Sequence, residues 1–166
     1  MVGYLDADLS TRPGEFLRLA DELERTQAQA VLGSRVSLLG TNIARRAFRH
    51  YTGRIFATIA SLTLGVPVYD TQCGAKVFRA SPALERALSE PFHSRWAFDV
   101  ELLGRLIIIN QQAGRLPADG ILEVPLRTWT DVGGSTLTLW GMLRAGVDLA
   151  LVHRHLRTFG APCRLR

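Results

Sequence analysis

Strand-like and helix-like stretches take turns along this chain, and that alternation constrains its fold more than any other feature. Residues 2–5 form a short apolar run with strand character. Ser10-Thr11-Arg12-Pro13-Gly14-Glu15 then reads as a helix start, with a hydroxyl cap and an early proline, and Phe16, Leu19, Ala20 and Leu23 continue one apolar face. Residues 28–32 read as the next strand, closed by Gly33-Ser34-Arg35. The pattern predicts a long helix over 41–64, a loop and strand over 66–78, and a capped helix after Ser81-Pro82. A further helix over 97–112, a strand over 121–126, a polar loop over 130–135 and a last helix over 137–157 complete it. Such alternation implies an α/β fold, a mostly parallel sheet with flanking helices. At 166 residues there is length for one domain with a real core, and no internal repeat, low-complexity tract or linker interrupts it.

The first strand runs directly into Asp6-Ala7-Asp8. Carboxylates two apart also occur in ordinary surface turns. At a strand's C-terminal end, however, they are oxygen donors placed where a hard divalent cation can also grip a diphosphate. On that reading Asp8 is a metal ligand, and Asp6 contacts the ribose or the metal and its water shell.

Other segments carry polar chemistry in compact form. Gly33-Ser34-Arg35 offers a tight turn and a guanidinium. Arg45 and Arg49 stand four apart, so on a helix they share a face, either a solvated basic one or a phosphate clamp. Asp70-Thr71-Gln72-Cys73-Gly74-Ala75-Lys76 packs a carboxylate, an amide, a thiol, a glycine and the sole lysine into seven residues, as a self-satisfying turn or as a binding loop. Asp99 and Glu101 fall in the first turn of a helix, where its dipole favours acids, flanked by Trp96 and Phe98. The four histidines are scattered without metal-ligand spacing, and His153 and His155 read as a basic helix end.

Charge narrows the partners. The chain carries +5, and 19 of its 20 basic residues are arginine. The arginine fork suits anionic partners, although a GC-rich genome would give the same bias. Basic residues are not interleaved with stacking aromatics, which argues against a nucleic-acid module. Two cysteines, Cys73 and Cys163, support neither a disulfide framework nor a metal cluster and read as reduced thiols of a cytosolic setting. The longest uncharged run, 55–69, is shorter than the roughly 20 residues a spanning helix needs. Leu137, Trp140, Leu143, Val147 and Leu151 make an apolar stripe ahead of a tail with four arginines and no acid from His153 on. Such a segment could lie on an anionic membrane surface, peripheral on its cytoplasmic face, or pack as an ordinary helix.

Taken in order, these pieces resemble glycosyltransferase family 2, in its polyprenyl-phosphate branch. The matching segments are Leu5-Asp6-Ala7-Asp8-Leu9-Ser10, Gly33-Ser34-Arg35, Arg45 with Arg49, Asp70 to Lys76, Arg95 to Glu101, and Glu123-Val124-Pro125-Leu126 leading to Gly134-Ser135. The resemblance implies a GT-A fold, Rossmann-like, that transfers a sugar with inversion from a nucleotide-diphosphate sugar to a polyprenyl (dolichyl-type) phosphate. It implies Mg²⁺ or Mn²⁺ held by Asp8, with Asp6, and an acceptor phosphate held by Arg35, Arg45 and Arg49. Asp70, Gln72 and Lys76 would add further substrate contacts, and Asp99 or Glu101 would take a proton if the acceptor were a hydroxyl. Family members carry the strands of the nucleotide pocket ahead of the Asp-x-Asp element, so the expected fold is truncated at its N-terminus by two or three units of about 30 residues. The division expected is 1–136, the C-terminal portion of a GT-A domain, and 137–166, an amphipathic basic helix and tail. A non-catalytic remnant that binds a membrane or a partner is the alternative, and a homo-oligomer stays open.

Overall fold

The structure, a computed structural model, describes residues 1–44, 47–130 and 139–159, without the side chains of residues 44, 47–52, 139, 140 and 142. In chain order the elements are β1 (Val2–Leu5), α1 (Pro13–Thr26), β2 (Ala30–Ser34), β3 (Asn42–Ala44), α2 (Ala47–Leu64), β4 (Ala75–Phe78), α3 (Pro82–Ala87), α4 (Phe98–Gln112), β5 (Ile121–Pro125), β6 (Thr128–Thr130) and α5 (Leu139–Phe159).

Four strands form the main sheet in the order β1-β4-β2-β5, and β3 pairs with β6 in a second, two-stranded one. The main sheet is mixed. β2 and β5 are parallel neighbours, whereas β4 runs antiparallel between β1 and β2. Three strands therefore point one way and β4 points back. The opening strand, expected inside a parallel sheet, is an edge strand of the described sheet, with Met1 and Val2 exposed.

The period-two alternation of strands divides the core into two layers. Val31, Ala75 and Val77 face α1, where they meet Leu19, Ala20 and Leu23. Ala30, Leu32 and Phe78 face the opposite way, toward α2, α3, α4 and α5. A fully buried leucine such as Leu32 contributes about 2 kcal/mol by leaving water. The apolar run Leu102-Leu103 and Leu106-Ile107 lets α4 be covered nearly all round, between the sheet and the outer pair α2 and α5. Gly104 permits the tightest approach, since a Cβ there would collide with Leu156 of α5.

Local details depart from the sequence-based expectation: Gly33 and Ser34, read as a tight turn, are the last residues of β2. Residues 42–44, predicted as the start of a long helix, are a strand paired with β6, and α2 begins at Ala47. No hydroxyl caps α1: its N-cap is Arg12, without a side-chain hydrogen bond, while the Ser10 amide donates to Asp8 Oδ1. The apolar stripe read on α5 is its outer face. Leu143, Val147 and Leu151 face solvent, and the opposite stripe, Ala145, Leu149, Val152 and Leu156, enters the core. Ser81 caps α3 as expected, accepting from the Leu84 amide. Among the described residues, no helix is long and apolar enough to cross a membrane.

Candidate functional site

β1 and β2 run the same way, and β4 runs against both, so the end of β1, the end of β2 and the start of β4 meet at one edge of the sheet. That topology brings together Asp6 and Asp8, Arg35, and the turn from Asp70 to Gly74. Clefts beyond the carboxyl ends of strands are where open α/β sheets place ligands.

The Asp6 amide donates to the Gly74 carbonyl at 2.8 Å, and its carboxylate lies over Gly74 so closely that any Cβ at 74 would overlap it. A side chain at 74 would have to displace that carboxylate. Asp8 is exposed, and its Oδ1 accepts from the Ser10 amide at 2.9 Å. Both carboxylates therefore present oxygen to solvent at the strand end, a donor set suited to a hard cation such as Mg²⁺ or Mn²⁺.

Arg35 follows β2 and grips Asp70 with its fork, Nε to Oδ2 at 2.7 Å and Nη2 to Oδ1 at 2.7 Å, while its own amide also donates to Oδ2. The Asp70 carboxylate is aimed by Glu123 of β5, whose two oxygens accept from the Tyr69 and Asp70 amides at 2.8 and 2.7 Å. Glu123 opens one of the segments that carry the family resemblance, but its clamp joins residues more than fifty positions apart and so is not readable from that segment. Gln72 is half-buried in the same turn. Beside it the Arg54 guanidinium lies 4.0 Å over the Tyr69 ring.

Lys76, on β4, is fully buried. Its Nζ donates to the Cys73 carbonyl at 2.6 Å and to Asp99 Oδ2 at 3.2 Å, and it lies 5.3 Å from the Tyr4 ring centre. Burial lowers the pKa of Lys76, but Asp99 and its other neighbours outweigh this and hold it above the usual lysine range. Burial likewise pushes the Asp99 carboxyl up, with Lys76 pulling it back. Tyr4 is pushed up to about 12 and the Cys73 thiol to about 11, both chiefly by burial.

Glu101, one turn-position on, belongs to a different set. Its Oε1 accepts from Arg105 Nη2 at 2.7 Å and lies 3.1 Å from His93 Nδ1, while Oε2 accepts from the His93 amide. Burial would raise this carboxyl, but the His93 and Arg105 hydrogen bonds hold it below the usual range. The structure thus gives Asp99 and Glu101 separate partners. His155, read as part of a basic helix end, lies near the end of α5 and meets His93 with ring centres 3.8 Å apart. Burial holds His155 below its ordinary pKa, and His93 pushes the same way. Arg49 is in the first turn of α2, with its side chain outside the described residues, and Arg45, Gly134 and Ser135 lie outside them altogether.

No family model matches this chain. No solved structure matches it either. Among curated proteins it is 30% identical over 163 residues to a dolichyl-phosphate β-glucosyltransferase of Trichomonas vaginalis, covering 95% of this chain and 45% of that protein. It is 34% identical over 157 residues to the dolichyl-phosphate β-glucosyltransferase of Drosophila melanogaster, covering 90% and 45%. The Homo sapiens protein of that description is 34% identical over 128 residues, 76% of this chain and 36% of its own length. The chain therefore spans less than half the length of these relatives.

Proposed function

Because this chain is homologous, over most of its length, to the dolichyl-phosphate β-glucosyltransferases of glycosyltransferase family 2, we propose that it forms part of a GT-A domain that transfers a hexose, with inversion, from a nucleotide-diphosphate sugar to a polyprenyl phosphate. The observation that carries the reading is the convergence of Asp6, Asp8, Arg35, Asp70 and Gly74 at one sheet edge. Asp8, with Asp6, holds a divalent ion, and that ion supplies charge to steady the leaving diphosphate. Gly74 keeps the turn close to Asp6, so the diphosphate can approach backbone rather than a side chain. Glu123 fixes Asp70, and Asp70 fixes the plane of the Arg35 guanidinium near the acceptor phosphate, to which Arg45 and Arg49 contribute further positive charge.

An acceptor phosphate simplifies the proton inventory. A phosphate monoester has a second pKa of about 6 and attacks as a dianion without a general base. That agrees with Asp99 and Glu101 both being engaged by cations, Lys76 and Arg105. Lys76, held by Asp99, ties the turn to β4 through the Cys73 carbonyl.

A lipid acceptor also needs an approach to the membrane. The outer faces of α2 and α5 expose Ile55, Ile59 and Leu62, and Leu143, Val147 and Leu151, with Arg144, Arg154 and Arg157 exposed on α5. This apolar and basic combination fits an anionic lipid surface. A groove of about 290 Å³ runs from Leu62 past Pro67 and Val68 to Tyr69, next to Asp70, and takes the first part of the isoprenoid tail.

The test is calorimetric titration of nucleotide-diphosphate sugars with and without Mn²⁺, followed by turnover with polyprenyl phosphate in anionic vesicles. Metal-dependent binding lost in Asp8→Asn supports transfer. Vesicle binding with no nucleotide-sugar binding would turn the assignment to a non-catalytic membrane-binding module.

A further inference from the structure

Three side chains from separate parts of the chain meet around one buried oxygen. His93 comes from the segment between α3 and α4, Glu101 from the first turn of α4, and His155 from near the end of α5. Glu101 Oε1 is 3.1 Å from His93 Nδ1 and 3.6 Å from His155 Nε2, and the three ligand atoms all lie within 4.8 Å of one another. Glu90 brings a second carboxylate, with Oε2 4.0 Å from His155 Nε2.

The hydrogen bonds do not close among these groups. Arg105 donates to Glu101 Oε1 and spends its other contacts on the carbonyls of Ala87, Glu90 and Pro91. A proton on His93 Nδ1 satisfies that ring. His155 Nε2 is then left buried, without a hydrogen-bond partner, turned toward an oxygen already in use. Buried polar atoms in native structures are nearly always matched, so an orphan at the centre of a cluster of metal-ligating atoms points to a missing cation.

We propose that His93 Nδ1, Glu101 Oε1, His155 Nε2 and Glu90 Oε2 form a site for a borderline divalent transition ion, Zn²⁺ before others. Tetrahedral zinc with ligands at about 2.1 Å sets neighbouring donors about 3.4 Å apart. The separations of 3.1, 3.6 and 4.0 Å lie on either side of that spacing, and the two imidazoles, 3.8 Å apart between ring centres, turn out of their stack to aim both nitrogens at one ion. Two imidazoles select against Mg²⁺ and Ca²⁺, which prefer oxygen, and so distinguish this site from the Asp6 and Asp8 pair. Two carboxylates neutralise the ion; the Nη atoms of Arg105 keep their three carbonyls, while its Nε has no partner. When Nδ1 of the neutral His93 ring takes the ion, its single ring proton sits on Nε2. The ion would tie the end of α5 to α4 beside the contact between Gly104 and Leu156. This site is independent of the transfer reaction.

The test uses the whole 166-residue chain, stripped with chelator and titrated with Zn²⁺ by calorimetry. One equivalent should bind and raise the unfolding temperature, with no competition from millimolar Mg²⁺. His93→Ala and His155→Gln should each weaken binding at least tenfold, while an Asp6→Asn, Asp8→Asn double variant binds Zn²⁺ as before. His93 is half-exposed, so its variant folds even if the His155 variant does not. Co²⁺ in the same site should give the intense visible absorption of a four-coordinate centre. No stoichiometric Zn²⁺ binding, equal binding by His93→Ala, or an octahedral Co²⁺ spectrum would overturn the proposal.

Discussion

Lys76 and Asp99 form a buried ion pair. The ammonium is 1% exposed and meets Asp99 Oδ2 at 3.2 Å, with the Cys73 carbonyl as its other acceptor. At an effective dielectric of about 20, two charges at that distance attract by about 5 kcal/mol. Both groups give up several kcal/mol of hydration to sit there, so the pair as a whole contributes little net stability. Breaking it is another matter. Asp99→Asn keeps the shape but leaves a buried ammonium uncompensated, and should cost about 3–5 kcal/mol. For a domain of this size that lowers the unfolding temperature by roughly 10 °C. Lys76→Met in the Asp99→Asn background removes the stranded charge and should restore most of the loss, since methionine fills similar volume. Urea unfolding of the wild type, both single variants and the double variant gives the coupling directly. A cost below about 1 kcal/mol for Asp99→Asn, or a double variant no more stable than that single one, would refute the electrostatic account.

Three further outcomes follow from particular contacts. Glu123→Ala leaves the Tyr69 and Asp70 amides without their acceptor and should cost about 1–3 kcal/mol, with faster hydrogen exchange at those two amides as the specific sign. Gly104→Val drives a side chain into Leu156 and should destabilise by about 1–3 kcal/mol in urea melts, with α5 amides exchanging first. Cys73 is held protonated in the fold to about pH 11 against an ordinary value of 9.0, so the unfolded chain loses that proton first and stability must fall as pH rises from 9 to 11. Tyr4, raised to about 12, acts in the same direction above pH 10. Cys73→Ala should flatten the alkaline limb by on the order of 2 kcal/mol in unfolding measured against pH, and native Cys73 should resist alkylation at pH 8.

The sequence by itself determined the elements whose signals are local. The apolar face of α1, the Ser81 cap of α3, the span of α4 and the strand end at Asp6 all rest on residues within a turn or two of one another, and all stand where periodicity places them. The register on β4 was also implicit, because alternation alone sends Lys76 and Phe78 to one face and Ala75 and Val77 to the other. Tertiary structure decided what depends on long connections. The reversal of β4, the pairing of 42–44 with 128–130 and the Glu123 clamp join residues far apart in the chain, and strand pairing carries no local signature of its partner. The α5 stripes show the same limit. Both of its faces are apolar at helical spacing, and only packing on α2 and α4 chose Leu149 and Val152 for the core and left Val147 and Leu151 outside. His93 and His155, sixty-two positions apart, became neighbours because α5 folds back over the start of α4, a closure that histidine spacing cannot express.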